Sequence, residues 1–509
     1  HLTARVWGHA ALAAVTVAGD FRLSVYGSGS TPGDLTRVGS TSGSRVVADR
    51  LALRATGDVG TESSAVLFET NRMDARVDGL FRVVELDDLN LGRYGIRLDS
   101  AASDTLRVEV RGDGSVARVL TEGGELVDNG SGTLELRVEE GDLELEANVR
   151  SEGLSLLLDI PEGALSVNGD ISSNAAGSLS LAIPQGGLTV GSAESEIEGG
   201  AIDISTLGKV DIRGRIVSIS EKSLLLNIAS GDLVLRGESA GLRGGLVEIE
   251  VSSGSLEMNS SGGRIVGKEL SLSVRNNLTA AGRIVSQGSN PVTVTVETGD
   301  LALTGSDARL VGSGPLTVRV PSGSLTVGGG NSRIEGSDLT VTVQEDATIA
   351  GTVRSSTAGS LQLNLSTGDL RLTSSTSTLE GGSVVIDVKQ GLLLMGHADS
   401  RVVSGTGGVD IFARGTVTMA AVESDGSLRI QSLLGRVQAS PLLASQVPSI
   451  VMTNPSFLGV VETPLGGSFW ATAAIGKIRN LGPDGLVDDD SMGGSGVPGL
   501  IQVDQNYGG

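Results

Sequence analysis

Between residues 291 and 327 the chain alternates aliphatic and polar positions in short runs, each closed by a small polar corner: PVTVTVETGDLALTGSDARLVGSGPLTVRVPSGSLTV. Period-two alternation marks a strand with one buried face, so Val292, Val294 and Val296 share one side while Thr293 and Thr295 share the other. The phrase VTVTVETGDLAL returns about two dozen residues later as LTVRVPSGSLTV, alike in pattern and loose in letters. A pattern that recurs without its letters points to a structural requirement that repeats.

The same nine-residue pattern occurs as RVEEGDLEL (137–145), DIPEGALSV (159–167), AIPQGGLTV (182–190), NIASGDLVL (227–235) and EVSSGSLEM (250–258). It continues as TVETGDLAL (295–303), RVPSGSLTV (319–327), NLSTGDLRL (364–372) and DVKQGLLLM (387–395). Its glycines stand at 141, 163, 186, 231, 254, 299, 323, 368 and 391, in steps of 22 to 24 residues or twice that. Each double step contains a degenerate copy: LGKVDI near 208, NNLTAA near 277 and EDATIA near 346. Each copy predicts three short strands: an alternating run before the glycine, a second after it, and a brief third such as Arg264-Ile265, Arg283-Ile284, Arg309-Leu310 or Arg333-Ile334. The constant corner length with glycine in third place predicts a left-handed φ there, and Pro161, Pro184 and Pro321 open the same corner.

Three strands and three corners in about 23 residues describe one coil of a right-handed parallel β-helix, an all-β solenoid. A lone coil cannot bury its apolar face, but stacked coils share a core and pair strand to strand. At about 4.8 Å per strand spacing, a dozen coils make a rod of about 60 Å. Residues 1–115 read as degenerate opening coils, 116–435 as the regular rod, and 436–509 as atypical final coils, a cap or a docking tail. That tail brings Phe457, Phe469 and Trp470, then turns acidic.

Composition narrows the function. With 75 glycines, 2% aromatic residues and 39% hydrophobic residues, the chain has aliphatics enough for a core and a composition unusual for an enzyme of its size. Cysteine is absent, which removes thiol chemistry and cysteine-ligated metals. A net charge of −22 disfavours nucleic acid and anionic membranes as partners. No apolar run is long enough for a membrane-spanning helix, so no membrane insertion is expected. The start, HLTARVWGHAALAAVTVAGD, reads as a processed terminus or a piece of a longer chain.

The GDLxL, GGRIxS and GSLxLxV phrases resemble the repeat arrays of filamentous-haemagglutinin-like adhesins and related large bacterial exoproteins. The stretch VVADRLALRATGDVGTESSAVLFETNRMDARVDGLFRVVELDDLNLG (46–92) resembles a recurrent segment of giant surface proteins, and the likeness covers most of residues 46–435. It implies an extracellular or bacterial cell-surface location and a structural role. The Asn-rich secretion domain of two-partner-secreted members is not visible; NNL at 276–278 and NP at 290–291 read as corners. The chain is then an internal fragment, or is exported by another route.

Candidate chemistry is sparse. The three histidines are His1, His9 and His397, and His397 sits at a corner, where simple exposure is expected. Short corners and missing groove aromatics argue against a sugar-processing enzyme. DNGSGTLE (128–135) lacks the acidic spacing of a calcium loop, and Asp484, Asp488, Asp489 and Asp490 read as a solvated acidic run. The corner residues Asp142, Asp232, Asp300 and Asp369 could stack as a cation ladder, but too many copies lack them. Outward Ser271, Ser273, Thr293, Thr295, Thr317, Thr340 and Thr342 form a stripe interrupted by Arg319 and Glu250, which reads as ordinary strand composition.

No residue is therefore assigned a catalytic, cofactor-binding or metal role, and no cofactor is expected. The expected function is a structural extracellular rod: a repeat segment of a surface adhesin, or a fibre subunit that stacks end to end into filaments. Its expected partners are copies of itself or neighbouring repeats, with host or cell-surface glycans beside them. A β-helix polysaccharide lyase or hydrolase is the main rival, marked by release of unsaturated or reducing ends. A trimeric tailspike-like stalk is the second.

Overall fold

The strands that alternate aliphatic and polar residues pair, with few exceptions, with the strand three places further along, always in parallel where the repeat is regular. The computed structural model of the protein describes residues 1–39, 44–99, 105–111 and 116–434, and the backbone of six short strands between 437 and 503. The fold is an all-β parallel solenoid of about 23 residues per turn and about 18 turns, with no helix among the described residues. The contacts divide it into two compact units, His1–Ser253 and Gly254–Gly509.

In the second unit the three predicted strands per coil appear as expected. The first strands are Glu269–Val274, Val292–Val296, Leu316–Val320, Leu339–Val343 and Ser360–Leu365. Their inward positions meet in register: Leu272 on Val294, Val294 on Val318, Val318 on Val341, and Val341 on Leu363. Every member of that column is buried. The second strands set Leu278, Leu301, Leu325, Ala347 and Leu370 in another column, and the third strands do the same for Ile265, Ile284, Leu310, Ile334 and Val353. Each fully buried aliphatic side chain contributes about 1.5–3 kcal/mol, so a coil gains stability only when its neighbours cover it. Near the end of this unit Phe469–Ala473 pairs antiparallel with Leu500–Val503, a departure from the parallel ladder.

The first unit builds the same core from Leu106, Leu134, Leu156, Leu179, Ile202 and Leu224, stacked in order. Its opening part is parallel solenoid as well. The repeat is blurred there because successive registers step unevenly: Leu2 meets Phe21, Phe21 meets Leu51, Leu51 meets Met73, and Ile96 meets Leu126. Uneven steps, not a change of fold, blur those coils.

The corner glycines need a correction. Of that column only Gly141, Gly163 and Gly231 take a left-handed φ. Gly186, Gly299, Gly323, Gly368 and Gly391 are held to glycine by stacking. A Cβ on Gly186 would stand 2.0 Å from the carbonyl oxygen of Gly163, one coil earlier, and a Cβ on Gly323 would stand 2.2 Å from that of Gly299. The corner of one coil sits directly on the backbone of the last, and no side chain fits between them.

Candidate functional site

With the inward positions committed to the core, chemistry is left to the outward columns and the corners. On the first strands the outward residues stack as Ser271, Thr293, Thr317, Thr340 and Gln362, and beside them as Ser273, Thr295, Arg319, Thr342 and Asn364. The stripe is in register, and Arg319 breaks it as expected. On the third strands Arg264, Arg283, Arg309 and Arg333 stack in a cationic column. Asp307 bridges two of them; hydrogen bonds from Arg309 and then Arg283 hold its carboxyl below the usual carboxylate range. Arg333 and Arg354 flank Glu335 in the same manner. This column is thus partly neutralised by Asp307 from a corner and by Glu335 from within its own strand.

Among the described residues the corner carboxylates do not gather into a group of three or more that could hold a metal ion. Asp142, Asp300 and Asp369 each accept a backbone N–H from the next coil. Asp142 Oδ1 takes the amide of Ala164 at 2.8 Å, Asp300 Oδ1 that of Ser324 at 2.8 Å, and Asp369 Oδ1 that of Leu392 at 3.0 Å. Asn277 does the same for the amide of Asp300 at 2.9 Å, and Asp346 for that of Asp369 at 2.8 Å, so two of the three degenerate copies keep the bond, while the third has Lys209 in that place. A carboxylate or amide oxygen one place past the corner ties the turns together where no strand ladder reaches. Replacing Asp300 by Ala is expected to cost about 1 kcal/mol, whereas Asp300→Asn keeps the acceptor and most of the stability. A chelator is expected to leave the denaturation midpoint unchanged; loss of stability with chelator and with Asn alike would restore the ladder.

The remaining sequence candidates fall in quiet places. His397 is half-buried in a turn, where its Nδ1 accepts the Asp399 amide at 3.2 Å and its carbonyl accepts that of Ser400. Asp128, in the calcium-like stretch, is buried and accepts the Gly130 amide at 2.8 Å, an ordinary turn bond. Phe457 and Asp484, Asp488, Asp489 and Asp490 lie outside the described residues, as do the side chains of Phe469 and Trp470. Glu85, which the sequence did not single out, is wholly buried, and burial pushes its carboxyl up to about 8.

One outward surface departs from the expectation that groove aromatics are missing. Strand Thr378–Val388 turns Val385 and Asp387 outward, and strand Arg401–Ala413 turns Asp410 and Phe412 outward. Register sets Val385 against Asp410 and Asp387 against Phe412. Apolar and acidic side chains therefore alternate as on a checkerboard, in an open groove of about 390 Å³ bordered by Lys389. Phe412 is half-buried, Asp410 and Lys389 are exposed, and Asp387 Oδ1 is buried without a hydrogen-bond partner. None of Asp387, Lys389 and Asp410 joins an ion pair among the described residues. The coil before contributes Gln362, against Val385, and Asn364, against Asp387. The coil after contributes Arg429, against Asp410, and Gln431, against Phe412. The signal was present in VVIDVKQ and VDIFARG, where the aromatic takes an outward place. It was hidden because nothing in either phrase alone shows that the two lie side by side.

No protein-family model, curated protein or solved structure matches the chain. The likeness to haemagglutinin-like repeats therefore stands on the quoted residues, and the parallel solenoid on the coordinates.

Proposed function

We propose that the chain is a structural, extracellular element: a repeat segment of a bacterial surface adhesin, or a fibre subunit whose copies stack end to end. It works by length and by the surface it presents, and no catalysis is assigned to it. One observation carries the reading. Within each unit the backbone of a coil is paired by the coils before and after it, in register, with aliphatic columns running on from coil to coil.

Where such a ladder is left uncovered, its outer strand can pair again. A further coil of the same chain, or the first coil of a neighbour, would satisfy it equally well, and a head-to-tail contact of that kind propagates. The outward columns support the adhesin form, because they vary from coil to coil without cost to the core. The absence of cysteine and the net charge of −22 fit an exported, soluble surface.

Electron microscopy of the full chain and of a version ending at residue 435 tests this. Elongated particles that join lengthwise are expected from the full chain, and lone elongated particles from the shortened one. Filaments from both would remove the tail from the docking contact. Compact particles from both, or a trimeric mass with a distinct head, would overturn the reading.

A further inference from the structure

The checkerboard around Phe412 carries more than a stacking element requires. Elsewhere on the first-strand face the outward places hold mainly Ser, Thr, Asn, Gln or charge. Here an aromatic ring and Val385 supply one apolar diagonal, and Asp387 and Asp410 supply the other. Diagonal neighbours on a sheet lie about 7–8 Å apart, close enough for one small cyclic ligand to touch all four.

The geometry points to a binding subsite for a neutral pyranose unit of a glycan chain, centred on Phe412, Asp387 and Asp410. A pyranose ring has a flat C–H face and a rim of hydroxyls. The C–H face suits Phe412, whose ring carries negative charge density on its faces, and Val385 extends that platform. Ionised carboxylates only accept hydrogen bonds, so the sugar hydroxyls donate to Asp387 and Asp410. Asp387 is half-buried with its Oδ1 enclosed, so Oδ2 is the oxygen that meets a sugar hydroxyl in the groove. Asn364 and Gln362 stand one coil back, and Lys389 at the border, as donors to hydroxyl and ring oxygens.

The charges select the class of sugar. Two carboxylates repel uronates and sulfated sugars, while Lys389 and Arg429 at the borders weigh against an amino sugar. The open groove suits a chain lying across the coils. The site is independent of end-to-end stacking, so losing it leaves filament formation unchanged.

Saturation-transfer NMR and calorimetry on the full chain would test the site with cellohexaose, maltohexaose and mannohexaose. Hexagalacturonate and a chitosan hexamer are the charged controls. At least one neutral hexasaccharide is expected to bind, with a Kd on the order of 1 mM for so shallow a site. Phe412→Ala is expected to weaken it about tenfold or more. Asp387→Asn, which conserves shape, is expected to weaken it about threefold or more while circular dichroism stays unchanged. Failure of all three neutral sugars to bind, binding of the chitosan hexamer or the galacturonate alone, or full binding by both variants would overturn the proposal.

Discussion

Gly323→Ala is expected to destabilise the second unit by about 3 kcal/mol or more, while Gly330→Ala, seven residues on, changes it by less than about 0.5 kcal/mol. The two positions differ in what lies beneath them. At Gly323 a Cβ would stand 2.2 Å from the carbonyl oxygen of Gly299, 2.6 Å from its carbonyl carbon and 2.7 Å from Asp300 Oδ1. Two of those atoms are backbone and cannot swing aside. Relief requires lifting one coil off another, which strains the strand pairing of Leu316–Val320 and Leu325–Val327 on either side of the corner. At Gly330 nothing lies within 4 Å and φ is not left-handed. Denaturant midpoints followed by far-ultraviolet circular dichroism would compare the two. Equal midpoints would mean that the corner column relaxes freely and that glycine repeats there for another reason.

That contrast shows what the sequence can and cannot say about this fold. Leu272, Val294, Val318 and Val341 announce themselves because burial demands an aliphatic residue at every second place, and the demand recurs in each coil. The corner glycines are as visible, yet their cause is not. A left-handed φ and a backbone lying beneath both exclude a Cβ, and only the stacked coordinates separate the two. The same holds for Asp300 and Asp369: as letters they suggest a metal column, and in place they tie one turn to the next.

The groove at Phe412 was less legible still. Its members come from strands that the repeat places side by side, but the uneven registers near residues 381–408, where the pairing shifts between Gly381 and Ser383, hide which outward residue faces which. A solenoid makes its core predictable by repetition and its sites unpredictable by the same means, since sites arise where outward columns happen to differ.

Glu85 yields the second large effect, and its sign is opposite to that of most surface acids. The alternation of Phe81 and Val83 carries Glu85 inward, so a carboxyl lies in a layer between Phe68 and Val110 of the adjoining coils. Thr70 serves it, through its amide at 2.9 Å and its hydroxyl at 3.0 Å. Burial raises the carboxyl from an ordinary value near 4.5 to about 8; the Thr70 bonds oppose the rise and the charge of Asp87 adds to it. Below pH 4.5 the group is protonated whether the chain is folded or not, and it contributes nothing to the pH dependence. Between 4.5 and 8 the unfolded chain releases the proton that the folded chain keeps, so stability falls as pH rises, and above 8 the loss is complete. Integrated over that interval the loss is on the order of 4–5 kcal/mol. Glu85→Gln keeps the shape and removes the titration. The variant is therefore expected to match the parent near pH 4.5 and to exceed it by a margin that grows to its full size above pH 8. Denaturant midpoints of the pair at pH 4.5, 6, 7 and 9 would measure the gap, and a gap constant across that range would show that Glu85 does not hold its proton in the folded chain.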